Sequence, residues 1–115
     1  MNKIIQVINT MITNSQRISN VIERENEFFF VYNDKHKWSI IGSDNSIVLF
    51  LYPNKDITLE ELAFEVNFDE YKAYVSYRSE DFKSIEATES FKELLKIVKD
   101  KIYGVDSILD DILKE

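Results

Sequence analysis

Apolar residues recur at helical spacing at the two ends of the chain and come in runs between them. Near the start, Ile4, Ile5, Val7, Ile8, Met11 and Ile12 make one stripe, and Ile18, Val21 and Ile22 resume it beyond Asn14 and Ser15. This spacing predicts one long N-terminal helix, or two helices kinked near Asn14. Isoleucine is a mediocre helix former, so packing has to hold the segment in place. Residues 28–32 (Phe, Phe, Phe, Val, Tyr), 38–41 (Trp, Ser, Ile, Ile) and 47–52 (Ile, Val, Leu, Phe, Leu, Tyr) are dense in aromatic and β-branched side chains. That density predicts three strands. The polar patch at residues 33–37 and the run Gly42, Ser43, Asp44, Asn45 read as turns, which makes the three an antiparallel meander. Pro53 stops the third strand, because proline has no N–H to give to a ladder.

The second half begins with a helix start. Thr58 and Glu61 have the spacing of a capping box, with Ile57 and Leu62 placed as its hydrophobic staple. The helix carries Leu59, Leu62, Ala63 and Val66 and is expected to end near Val66. Tyr71, Ala73, Val75 and Tyr77 then alternate with Lys72, Tyr74 and Ser76, the pattern of a fourth strand at a sheet edge. Residues 78–87 read as irregular, with Phe82 and Ile85 as anchors. Phe91, Leu94, Leu95, Val98 and Ile102 mark a clear helix, with Glu86 and Glu89 early and Lys96, Lys99 and Lys101 late, each favourable to the helix dipole. Gly104 fits its C-terminal cap. Asp106 is placed to cap a last short helix bearing Ile108, Leu109, Ile112 and Leu113. The expected fold is one α+β domain over residues 1–115, in the order α-β-β-β-α-β-α-α. Its antiparallel sheet of about four strands packs with the N-terminal and C-terminal helices.

The faces of the strands carry further information. Phe28, Phe30 and Tyr32 share one side of the first run, while Phe29 and Val31 take the other. In the third, Ile47, Leu49 and Leu51 oppose Val48, Phe50 and Tyr52. A half-exposed sheet alternates apolar with polar residues. Here both faces are apolar, so the second needs a cover: a helix, a partner subunit or a ligand.

Composition narrows the classes. The length of 115 residues suits one domain, and with 2 glycines and 1 proline there is no low-complexity linker. The absence of cysteine removes disulfides, thiolate metal sites and cysteine nucleophiles, and points to a reducing, cytoplasmic setting. No stretch reaches the ~20 apolar residues of a membrane span. Lys3, Arg17 and Arg24 are too sparse for a basic interfacial helix. Membrane association is therefore not expected. The net charge is -7, and residues 54–94 hold 11 acidic against 5 basic side chains. Phe29, Tyr32, Trp38, Phe50, Tyr52 and Tyr74 are aromatic enough to stack bases. A surface this acidic nevertheless repels phosphate, so nucleic acid is not the expected partner.

Chemistry is sparse. His36 is the one histidine and sits in a polar turn; Asp34 is close in sequence, but a polar turn is expected to contain such residues, so catalysis is not read from the pair. The neighbouring pairs Glu60-Glu61, Asp69-Glu70, Glu80-Asp81 and Asp110-Asp111 lack the alternation of a calcium loop. Gly42 and Gly104 form no phosphate-binding pattern. No catalytic, metal-ligating or cofactor-binding residue is assigned, and no cofactor is expected.

The class these features favour is a protein–protein interaction module. It would be an inhibitor, immunity-type or anti-defence protein acting on a basic partner, or a self-associating assembly subunit such as a homodimer. The candidate surface combines Trp38, Phe50, Tyr52 and Tyr74 from the sheet with the acids Glu60, Glu61, Glu65, Asp69 and Glu70. The alternative is a small-ligand-binding protein, with the same four aromatics walling a pocket. An enzyme with a carboxylate-based site is the least supported class.

Overall fold

A bulge and two tight turns without glycine turn the expected meander into a larger sheet. The computed structural model describes residues 2–42, 46–64 and 73–115. Helix α1 spans Lys3–Thr13, and the strands are β1 (Ile18–Arg24), β2 (Glu27–Tyr32), β3 (His36–Gly42) and β4 (Ile47–Tyr52). Helix α2 (Leu59–Phe64), strand β5 (Val75–Arg78), and helices α3 (Ile85–Tyr103) and α4 (Val105–Leu113) follow. The five strands form one antiparallel sheet in sequence order, β1-β2-β3-β4-β5. The α+β class is thus observed, with one strand more than the sequence suggested.

That additional strand is β1, which corrects the expected helix over residues 18–22. Asn20 adopts a left-handed φ of 56°, and the β1–β2 register shifts between Ser19 and Ile22. An extra residue in a strand changes the period of two locally. Ile18 and Val21 therefore pack on one side of the sheet and Ile22 on the other, a spacing of three and four that imitates a helix. The β1–β2 turn is Glu25-Asn26, with φ of 53° and 67°. Positive φ at both central residues is the requirement of a type I′ hairpin turn. Asn33 and Asp34 also take positive φ, 57° and 59°, after β2. Asparagine and aspartate tolerate this region better than most residues.

One face of the sheet is covered by α1 and α3. Ile4, Ile5, Ile8 and Met11 of α1 and Ala87, Phe91, Leu94 and Val98 of α3 are buried there. They meet Phe28, Phe30, Trp38, Ile40, Ile47 and Leu49. The cap of α1 is Asn2, whose side chain accepts the Ile4 N–H at 3.0 Å. That of α3 is Ser84, which accepts from the Ala87 N–H at 3.0 Å. A Cβ at Gly42 would lie 2.5 Å from Leu95 Cδ2, so a larger residue there would displace that side chain. Before α3, a 3-10 turn at Ser79–Phe82 sets Phe82 against Phe91 with ring centroids 5.7 Å apart. Ile85, in contrast, is 79% exposed and anchors nothing. It occupies the first turn of α3, on the side away from the sheet.

The opposite face has a smaller core. Ile57, Leu59, Leu62 and Ala63 bury Phe29, with Ile22, Val31 and Tyr52 packed around them. The capping box forms as the spacing predicts. The Glu61 N–H donates to Thr58 Oγ1 at 3.1 Å, and the Thr58 N–H donates to Glu61 Oε1 at 3.1 Å. The expected end of α2 near Val66 and the Tyr71-Lys72 start of the fourth strand lie outside the described residues. So does the centre of the turn after Gly42. β5 occupies a sheet edge, as its alternation suggests.

Candidate functional site

The four aromatics grouped by sequence do not form one wall. Trp38 pairs with Leu51 and Phe30, so its side chain lies on the α1–α3 face. Phe50 and Tyr52 point the other way. There the rings run Phe29–Tyr52 at 6.2 Å, Tyr52–Phe50 at 6.4 Å and Phe50–Tyr74 at 5.3 Å between centroids. Tyr74 also lies 6.4 Å from Tyr52, so Phe50, Tyr52 and Tyr74 form a cluster, and it is 52% exposed. The expected common pocket is corrected by register: a cross-strand pair puts its two side chains on one face, and Trp38 pairs with Leu51, not Phe50.

Beneath these rings lies a polar network. Tyr52 Oη and Ser39 Oγ are 2.8 Å apart, and the Ser39 hydroxyl donates to Glu27 Oε2 at 2.5 Å. Tyr52 Oη also lies 3.4 Å from the same carboxylate oxygen. The relay Tyr52 to Ser39 to Glu27 leaves no hydroxyl unsatisfied. Burial is the main reason that the Tyr52 hydroxyl resists ionisation well beyond the usual tyrosine range. The Ser39 hydrogen bond opposes the shift and the Glu27 charge adds to it. Ser39 is fully buried. No substrate can reach its hydroxyl, so the network ties three strands together and offers no nucleophile.

Glu60 is exposed on α2, whereas Glu61 is engaged in its capping box. Glu65, Asp69 and Glu70 lie outside the described residues. Among the described residues no three His, Asp or Glu side chains gather as a metal site. His36 opens β3 as an exposed residue rather than lying within the turn.

Two features that the sequence did not single out stand apart. The first is a groove of about 670 Å³ between α1 and the sheet. Val7 and Met11 line one side, and Tyr32, Trp38, Leu51 and Tyr77 the other, with Lys3 and His36 at its rim. It adjoins a second hollow that shares His36 and Leu51 and carries Lys35, Lys37 and Lys55. No carboxylate lines either one among the described residues; Asp34 and Asp56 lie in the flanking turns. Trp38 Nε1 is buried, with no hydrogen-bond partner among the described residues.

The second feature is α4. It follows Gly104, whose φ of 64° caps α3 through its N–H to Asp100 and Lys101 carbonyls. No residue of α4 is buried. Ile108, Leu109, Ile112 and Leu113 are 54, 52, 57 and 82% exposed. Asp106 lies in the first turn of α4 and is not its cap, as had been expected; that position is Gly104. A helical projection puts Val105, Ile108, Leu109, Ile112 and Leu113 on one strip, bordered by Asp106 on one side and Asp111 on the other, with Glu115 just beyond the helix end. The apolar pattern is visible in the sequence; that it meets no core is not.

Comparison with protein-family models finds no match to the chain. Curated proteins give none either, and no solved structure matches. No helix among the described residues is long and apolar enough to cross a membrane.

Proposed function

We propose that the chain is a protein–protein interaction module whose docking element is α4. The observation that carries this reading is the uncovered strip of that helix. Isolated helices of nine residues are marginal in water, and contiguous exposed apolar side chains mark interaction sites. The sheet supports the reading less, because α2 covers its second face over Phe29. Four carboxylates against one lysine in residues 105–115 suit a partner with an apolar groove edged by basic groups. An inhibitor acting on a basic protein and an assembly subunit both use such a surface.

A photo-crosslinking residue at Leu109, with Ser107 as the control on the same helix, tests this in cells of the source. The expected result is an adduct of defined mass at Leu109 only, lost on Ile112→Asp. The same adducts at both positions, or none, would refute it. Small-ligand binding is the second reading, favoured by the α1 groove. It ranks lower because the groove is open and the one indole N–H in its wall is shielded from solvent.

A further inference from the structure

We infer that the partner of α4 is a second copy of this chain, and that α4 of one copy seats in the α1–sheet groove of another. The inference rests on the reading of α4 as a docking element and names its receptor. Charge, length and chemistry support it together.

Charge comes first. The strip on α4 is flanked by Asp106 and Asp111, with Glu115 just beyond the helix end. In a chain of net charge -7, the groove has Lys3 and His36 at its rim and the adjoining hollow adds Lys35 and Lys55, with no carboxylate in either lining among the described residues; Lys37 also lines the hollow but pairs with Tyr52, on the other face of the sheet. A symmetric pairing of α4 with α4 would instead set these acids against one another, and like charges held close are unfavourable. The acidic helix and the basic-rimmed groove have the complementarity that the helix alone lacks.

Length agrees. The α1 wall of the groove runs from Lys3 to Met11, and the apolar strip of α4 from Val105 to Leu113. Each covers eight helical steps, about 12 Å at the α-helical rise. The chemistry of the surfaces agrees as well. Val7, Met11, Leu51 and the rings of Tyr32 and Tyr77 offer an apolar floor to the Ile and Leu side chains. This is the helix-in-groove mode of recognition, read at i, i+3, i+4 and i+7. The contact is heterologous: it joins two different surfaces of the same chain.

The decisive test is complementation between two full-length variants. Leu109→Asp with Ile112→Asp disables the helix and leaves the groove. Gln6→Glu with Thr10→Glu places negative charge in the groove and leaves the helix; both positions are exposed and line it. Sedimentation equilibrium should show wild type exceeding the monomer mass as concentration rises. Each variant alone should remain monomeric, and their equimolar mixture should form a one-to-one heterodimer. If the groove variant loses helicity by circular dichroism, Lys3→Glu takes its place. It should weaken wild-type association by roughly 1.5–5-fold, the range for one exposed ion pair. Adding Asp111→Lys to it should restore the loss.

A wild type that stays monomeric overturns the inference. So does a self-associating wild type whose variant mixture fails to complement, because α4 then docks elsewhere. Neither result touches the interaction reading, which the crosslink at Leu109 decides. An adduct with a mass other than the homodimer would keep that reading and remove the second copy.

Discussion

Replacing Tyr52 by phenylalanine should destabilise the protein at neutral pH and stop doing so at alkaline pH. The hydroxyl lies 2.8 Å from Ser39 Oγ, while Ser39 keeps its bond to Glu27 at 2.5 Å whether or not Tyr52 is present. Tyr52→Phe thus removes one hydrogen bond and leaves no charged group unpaired, a loss of about 1 kcal/mol. The pH dependence follows from the direction of the Tyr52 shift. Burial raises its pKa in the folded protein, whereas the unfolded chain releases the proton near the ordinary value of about 10. A group with a raised folded pKa contributes stability that is complete below the unfolded pKa. That contribution is lost as pH climbs from there towards the folded pKa. By pH 11 the unfolded tyrosine is about nine-tenths ionised, which lowers wild-type stability by at most about 1.4 kcal/mol. Partial exposure of the ring makes that figure an upper value. The advantage of wild type over Tyr52→Phe should therefore fall from about 1 kcal/mol at pH 8 to near zero, or reverse, at pH 11. Urea unfolding of both proteins at unit steps between these limits measures it, and the difference cancels other titrating groups. A difference that stays constant from pH 8 to 11 would show that the fold does not hold this hydroxyl neutral.

Five further substitutions, at four positions, probe the fold by the same assay. Phe91→Ala, at a fully buried site, should cost about 3–5 kcal/mol, whereas Ile85→Ala in the same helix should stay within about 0.5 kcal/mol of wild type. Thr58→Ala removes the acceptor of the Glu61 N–H and should cost about 1 kcal/mol. Trp38→Phe discards a buried N–H that has no partner among the described residues. Relief of roughly 1–3 kcal/mol of desolvation offsets the lost packing, so the variant should lie within about 1 kcal/mol of wild type; Trp38→Ala should lose about 3–5 kcal/mol.

The candidate site was less legible in the sequence than the fold. Trp38, Phe50 and Tyr52 were recognisable as strand aromatics, while Tyr74, read into the fourth strand, lies one residue before β5; grouping them required the register between β3 and β4. One residue of slip exchanges the faces, and in the observed register Trp38 stands opposite Leu51. Ile18, Val21 and Ile22 were misleading for a related reason. A bulge at Asn20 produces the same spacing as a helical turn, and periodicity alone does not separate the two. A hint lay in Glu25-Asn26, yet without glycine it is a weak turn signal.

The Thr58–Glu61 capping box, the Gly104 cap of α3, the strand character of β2, β3 and β4 and the alternation of their faces were settled by the sequence itself, because each acts over a few neighbouring residues. The Ser84 cap, in a tract read as irregular, the cap of α4 and strand β1 were not. The two sides of β2 and β4 follow from the period of two. Only the tertiary structure decided which surfaces would be covered. Phe91, Leu94 and Val98 of α3 and Ile108, Leu109 and Ile112 of α4 share the same kind of spacing. The first set is buried and the second is not. Local propensity reaches a few residues along the chain, whereas burial depends on what distant segments bring to the same place. α1, α3 and the sheet satisfy one another, and among the described residues none buries the apolar strip of α4.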